Sequence, residues 1–262
     1  MKIISVINLK GGVGKTTTSL NIGHILATLH DKRVLLIDND KQGNLSKVFG
    51  AGSYDDFTIT DILTGRHNVI DEVIMPTQYK NLDIIGANMH LLGAYNYIAS
   101  ESCLKIALEQ IAHQYDYCII DNAPDINIST INALVASHEV IIPIKIDKFA
   151  LDGLKEVVEQ INAVRDNLNF DLTLLGCLVT AFMRNDVCTQ GLEWLRQESG
   201  YPIFATCIRR THKVDESTFT NVPLFEYSPR CGASVDYKAF VWEYFCVSEM
   251  DTQERGERNG QG

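Results

Sequence analysis

Short apolar runs alternate with longer amphipathic stretches along the chain. The runs Ile3–Ile7, Val34–Ile37, Leu82–Ile85, Tyr117–Ile120, Val140–Ile144 and Leu172–Val179 are rich in β-branched residues, and polar, Gly or Pro positions close them. Near-continuous apolar character is what a strand buried on both faces requires, so these six are expected to be parallel strands. Helical spacing marks the segments between them, at Lys15–Leu29, Ser102–His113, Ile128–Ala136 and Leu151–Asn167. In the last of these, Leu154, Val157, Val158, Ile161 and Val164 share one face. Strand–helix alternation predicts an α/β fold with right-handed crossovers: one doubly wound, mostly parallel sheet with helices on both faces. A single domain is expected over residues 1–247, closed by a helix near Gly232–Val247. Residues 248–262 are rich in Glu, Arg, Gly and Gln and have little to bury, so they are expected to be a disordered polar tail.

Composition narrows the setting. The 262 residues carry 23 Lys and Arg against 33 Asp and Glu, a formal charge of −10. That balance argues against a constitutive nucleic-acid binder but leaves room for a local basic patch. The apolar start is too short for a signal peptide, and no run approaches the ~18 residues of a membrane span. The seven cysteines are scattered with no CxxC pair, and the seven histidines show no HExxH spacing. Free thiols, no zinc site and a cytoplasmic setting are expected.

Doubly wound sheets bind ligands beyond the carboxyl ends of their strands, so the residues that follow each strand carry the chemistry. After the first strand comes Lys10-Gly11-Gly12-Val13-Gly14-Lys15-Thr16-Thr17. Glycines let backbone N–H groups curl around phosphate oxygens, and the helix that follows offers its positive end. Lys15 is placed to neutralise terminal phosphates and the Thr16 hydroxyl to ligate Mg²⁺. The second strand ends in Asp38-Asn39-Asp40, two carboxylates on one side of an extended segment. The fourth ends in Asp121 after four residues of strand, the position of a Walker B carboxylate.

The segment from Lys10 to Thr17 has Leu9 where the usual phosphate loop has Gly, and it adds Lys10. This is the deviant Walker A pattern, and the chain resembles the ParA/MinD family of P-loop ATPases. Asp38-Asn39-Asp40-Lys41-Gln42-Gly43-Asn44 resembles that family's switch I, with Lys41 in place of the common Pro. After Asp121, Pro124 is kept, while Ala123 and Asn127 replace a Pro and a Gly of switch II. The resemblance implies ATP and Mg²⁺ as cofactors, with Gly11 to Thr17 holding the nucleotide. It makes Thr16, Asp38 and Asp121 the Mg²⁺ side of the site, and Asp40 the residue that positions or activates water. It also implies that Lys10 crosses a dimer interface to the partner's nucleotide. A second cation there would stabilise charge developing in phosphoryl transfer.

Within the family, a ParA/Soj-type partition ATPase is the first reading. That resemblance implies a homodimer when ATP is bound, non-specific DNA binding with nucleoid association, and a ParB-like stimulating partner. Candidate DNA contacts are Arg209, Arg210 and Lys213, with Arg184, Arg196 and Arg230 nearby. From Arg184 to Lys213 five cations face three carboxylates, a local charge of +2. The alternative is a DNA-independent or membrane-associated positioning ATPase of the MinD type. That would need a basic amphipathic C-terminal helix, whereas Glu243, Glu249, Asp251 and Glu254 make this end acidic. The stripe of Val235, Phe240, Tyr244 and Phe245 is therefore expected to pack in the core. An iron-protein reading needs a cysteine soon after Asp121, and none lies before Cys177. A tyrosine-kinase reading needs tyrosines in the tail, and 248–262 has none. The phosphate loop starts ten residues in, so no N-terminal DNA-reading domain is expected.

Overall fold

In the computed structural model, the described residues are all except 67–69, 148–149 and 260–262, with no side chains described at 150–152 and 249–259. The strands are β1 (Lys2–Val6), β2 (Val34–Asn39), β3 (Ile74–Pro76), β4 (Leu82–Ile85), β5 (Tyr117–Asn122), β6 (Glu139–Lys145), β7 (Thr173–Phe182) and β8 (Ile203–Arg209). The helices are α1 (Lys15–Leu29), α2 (Asn44–Phe49), α3 (Ile59–Leu63), α4 (His90–Ala94), α5 (Cys103–Gln110) and α6 (Ile128–Ala136), followed by α7 (Ala150–Asn167), α8 (Asp186–Glu198), α9 (His212–Phe219), α10 (Leu224–Tyr227) and α11 (Gly232–Asn259). Among the described residues the strands form one sheet of eight, in the order β3-β4-β2-β5-β1-β6-β7-β8. All neighbours pair in parallel except β3 with β4. The expected doubly wound α/β fold is present.

Side-chain alternation divides the core. Ile4, Val6, Val34, Leu36, Ile119, Ile141 and Leu178 face one layer, covered by α1 and α11. Ile3, Leu35, Ile37, Cys118 and Ile120 face the other, under α3, α5 and α6, and Val140, Ile142 and Val179 continue it under α7. Strands buried on both sides need apolar residues at every position, which is why these six were visible in the sequence. The two further strands lie at the sheet's edges. β8 buries only Phe204 and Ile208 deeply, and three-residue β3 ends in Pro76, so neither shows a continuous apolar run. Helix α1 comes close to β2 at Gly23, where a Cβ would sit 2.7 Å from the Leu36 side chain. A glycine inside a helix costs stability, and here it lets the helix that carries the phosphate loop lie against the central strands.

The last helix is longer than expected. Helix α11 runs through Asn259, so the polar segment from 248 continues a helix, and its last three residues lie outside the described ones. Ser248 belongs to the body: its hydroxyl donates to Glu139 Oε1 at 2.6 Å, beside the Tyr244 hydroxyl on Oε2 at 2.7 Å and the Lys2 amine at 2.8 Å. Three polar groups from two distant segments thereby satisfy a carboxylate that is 1% exposed. Phe240 and Tyr244 lie in the core as expected, with Phe245 partly buried against it, but Val235 faces solvent.

His24 on α1 is buried edge-on to Tyr79, ring centroids 4.7 Å apart, and its Nδ1 has no hydrogen-bond partner among the described residues. Burial lowers its pKa from 6.5 to about 4, against a smaller upward pull from Glu226. Between those values the unfolded chain binds the extra proton, so stability falls as pH falls. Wild type should lose about 2 kcal/mol more than His24→Phe between pH 7 and 5, read from denaturant melts at both pH values. Equal losses would show that His24 does not carry the acid sensitivity.

Candidate functional site

The carboxyl ends of β1, β2 and β5 meet at one edge of the sheet. The loop after β1 turns through Gly12 and Gly14, with φ of +71° and +85°, a region that suits glycine and few other residues. Gly14 then caps α1 at its N-terminus. Behind the loop, Val13 is buried, and its carbonyl accepts a 2.7 Å hydrogen bond from the Thr180 hydroxyl at the end of β7. The open amides of this turn and the end of α1 make a concave, electropositive seat for an anion.

Lys15 is the first residue of α1 and only 7% exposed. Its amine curls back to the Lys10 carbonyl at 3.1 Å. Burial lowers its pKa, while Asp121, Asp40 and Asp125 pull it upward. Parallel pairing places Asp38 of β2 level with Asp121 of β5, and both are buried. Burial pushes Asp121 up to about 8, and the Asp38 charge adds to this; hydrogen bonds from Thr16 and Ser19 and the Lys15 charge oppose it. Burial raises Asp38 to about 6, against hydrogen bonds from Ser46 and the Asp40 amide.

The two carboxylates differ in what they hold. Asp38 Oδ2 accepts from both the amide and the hydroxyl of Ser46, at 2.8 and 2.7 Å, and Oδ1 accepts from the Asp40 amide at 3.1 Å. Asp38 therefore braces the segment between β2 and α2. Asp121 takes the Ser19 hydroxyl at 3.1 Å and faces Thr16. Thr16, Asp121 and Asp38 form an all-oxygen donor set with excess negative charge, which suits a hard divalent cation such as Mg²⁺. Asp40 lies at the cleft wall, and its Oδ1 accepts from the Gln42 amide at 2.9 Å.

The phosphate loop and Asp40 converge on a cleft of about 560 Å³, lined by Gly11 to Thr17, Asp40, Gln42, Asn44 and Pro124. Its far end is built from residues that the sequence did not single out: Lys145, Thr180, Ala181, Val214, Thr218 and Tyr237. Ala181 has φ +49°, rare for a residue with a Cβ, and the Tyr237 hydroxyl hydrogen bonds the Thr18 hydroxyl at 3.1 Å. The strand-end rule points to Thr180 and Ala181, whereas Tyr237 lies on a distant helix with no local signal.

The remaining candidate cations separate. Lys10 lies outside the cleft wall, partly exposed, with its amine on the Asp147 carboxylate. Arg209 and Arg210 line the cleft. The Arg209 guanidinium is clamped by both oxygens of Asp236 at 2.8 Å and also donates to the Gly232 carbonyl at 3.1 Å. Lys213 pairs with Glu216 at 2.6 Å. Arg210 has no carboxylate partner among the described residues; its guanidinium lies 4.0 Å from the Met183 sulfur.

A glycine loop, a buried lysine at a helix N-terminus and a strand-terminal carboxylate beside it define a P-loop nucleotide-binding protein. An AAA-domain family model matches residues 1–174. Over 241 residues the chain is 40% identical to the sporulation initiation inhibitor protein Soj of Bacillus subtilis, covering 89% of this chain and 94% of that one. It is 34% identical to the chromosome partitioning protein ParA of Caulobacter vibrioides, covering 90% and 91%. Among solved structures it is similar to cobyrinic acid a,c-diamide synthase from Mycobacterium smegmatis with bound ATP analogue and magnesium, at a TM-score of 0.79 and 29% identity, covering 92% and 93%. The chain belongs to the ParA/Soj family of P-loop ATPases.

A buried carboxylate whose pKa is raised destabilises the fold as pH rises from its unfolded value to its native one, because over that range the native state holds a proton that the unfolded state has already lost. Without ligands, Asp121→Asn should be more stable than wild type at pH 8.5, by on the order of 2 kcal/mol, with a smaller gain at pH 6. Thermal melts of ligand-free protein at the two pH values decide this. A less stable variant at pH 8.5 would show that hydrogen bonding to Asp121 outweighs the cost of its burial.

Proposed function

We propose that the protein is a Mg²⁺-dependent ATPase that passes between a monomer and an ATP-bound sandwich dimer, and that the dimer binds DNA without sequence preference to partition plasmid, chromosome or mobile-element DNA. The carrying observation is the convergence of the Gly11–Thr17 loop, with Lys15, and Asp40 on one cleft, with Asp121 buried beside Lys15 and Thr16. The similarity to Soj and ParA supports the partition role, and the ATP analogue and magnesium bound to the M. smegmatis enzyme support the ligands.

In this reading the loop amides and Lys15 hold the phosphates. Thr16 and Asp121 would hold Mg²⁺, which would offset the phosphate charge, while Asp38 braces switch I beside them. Asp40 orients the attacking water. The P-loop binds its nucleotide within one chain, and Lys10, outside that cleft, supplies the cation that a second copy brings to it. Leaving Asp147 for a partner's phosphates exchanges one anion for another, so the step has a modest electrostatic cost. Dimerisation makes DNA affinity conditional. One chain carries −10, and pairing two copies brings Arg210, Arg184 and Arg230 of both onto a shared assembly. A ParB-like partner would stimulate turnover, and the protein would be cytoplasmic and nucleoid-associated when ATP is bound. The acidic end of α11 and its core-facing aromatic side chains disfavour the membrane-cycling alternative; no helix among the described residues is long and apolar enough to cross a membrane.

Asp40→Ala should accumulate as a dimer with MgATP, and Lys15→Ala should remain a monomer, as read by size-exclusion chromatography with light scattering. A monomeric Asp40→Ala would count against the switch. Wild type should retard random-sequence duplex DNA with ATP and not with ADP, with affinity falling at least tenfold as salt rises from about 50 to 200 mM. No retardation with ATP at low salt would favour a DNA-independent positioning ATPase.

A further inference from the structure

Asp40 to Gly43 form a tight turn, closed by the Gly43 amide on the Asp40 carbonyl at 2.8 Å. Lys41 occupies its second position, where proline is favoured because its ring presets φ. The Lys41 amide makes no hydrogen bond among the described residues, so a ring would displace none. A lysine there leaves the turn free to open unless something else holds it. Its amine lies 3.5 Å from Asp125 Oδ2, on the loop that follows β5.

Asp125 is itself held. Its Oδ1 accepts from the Asn127 side-chain amide at 2.8 Å, and its carbonyl accepts from the Thr130 hydroxyl at 3.0 Å. Asn127 caps α6 by accepting from the Ser129 and Thr130 amides at 2.8 and 3.1 Å. A firm platform at the start of α6 therefore anchors Lys41. Asp40 and Pro124, the residues just before the two ion-paired ones, both line the cleft. Beneath them runs a buried tie, with the Asn39 amide on Asn122 Oδ1 at 2.9 Å and the Ser129 hydroxyl on Asn39.

We propose that the Lys41–Asp125 ion pair is a clasp between the two loops flanking the terminal phosphate, and that it positions Asp40 for water attack in place of the rigidity a proline would give. Lys41 and Asp125 are positioning residues: they act through Asp40, and neither lines the cleft. The proposal rests on the ATPase reading above. The pair is partly exposed, with 26% and 41% of the two side chains accessible, so salt screens it and the clasp also makes turnover sensitive to ionic strength in a way that nucleotide binding is not.

The test is a cycle of D125N, K41P and the double variant. Turnover with MgATP is measured at low and high salt, and amide hydrogen exchange is measured over residues 38–46. D125N should lower kcat about two- to fivefold with KM for ATP unchanged, remove the salt sensitivity of kcat and speed exchange in the turn. In the K41P background the same substitution should change neither kcat nor exchange, because the ring holds the turn by itself. Equal losses from D125N in both backgrounds would overturn the clasp and place the role of Asp125 in capping α6. Loss confined to KM would overturn it as well. A wild-type protein with no turnover would defeat the ATPase reading, and the exchange arm would still decide whether the pair holds the turn.

Discussion

Two carboxylates buried side by side, Asp38 and Asp121, impose the constraint on which the rest of the site depends. Parallel pairing of β2 with β5 sets them level, and neither has room to reach solvent. Like charges taken out of water are unfavourable, and burial holds both above the ordinary carboxylate range. The protein offsets this with Lys15, drawn into the same pocket with its own pKa lowered by burial, and with hydroxyls from Thr16, Ser19 and Ser46. The strand edges thus form an unfinished electrostatic cluster, and a divalent cation with its phosphates completes it. Affinity for that ligand is the counterpart of the stability given up in building the site.

The fold supplies the rigidity that this cluster needs. Six strands buried on both faces set the positions of three carboxyl ends, and Gly23 lets α1 lie against β2. Helix α11 joins from the far side. Its Tyr237 hydroxyl meets Thr18 on α1, Asp236 clamps Arg209 at the end of β8, and Tyr244 and Ser248 are tied to Glu139 at the start of β6. One helix therefore touches the cleft's far wall, the helix behind the phosphate loop and the opposite edge of the sheet. The two loops expected to respond to nucleotide are joined twice, by a buried tie at Asn39 and by an exposed pair at Lys41. The buried tie belongs to the folded core, and only the exposed one is weak enough to serve as a moving part.

Much of this was legible in the chain, because the informative signals were contiguous. The phosphate loop needs glycine at particular backbone angles and a lysine and hydroxyl at fixed offsets, and all of these lie within eight residues. Central strands announce themselves because both faces are dry. Edge strands do not, and β3 and β8 went unseen for that reason. With β8 hidden, the sequence offered Arg209 as a candidate DNA contact without showing its surroundings: it lines the cleft with its guanidinium on Asp236. The place of Ser248 was hidden for a related reason: it looks like the start of a polar segment until Glu139, 109 residues away, is brought beside it.

By itself, the sequence determined the order of the central elements, the anion-binding loop and which carboxylates stand at strand ends. Those features depend on local geometry and on burial patterns with a short period. Only the tertiary structure decided which charges are spent and which remain available. Lys10 rests on Asp147, Arg209 on Asp236 and Lys41 on Asp125, while Arg210 meets no carboxylate among the described residues. An ion pair forms between side chains within about 4 Å in space, and spacing along the chain says little about that distance once strands and helices have been folded over one another.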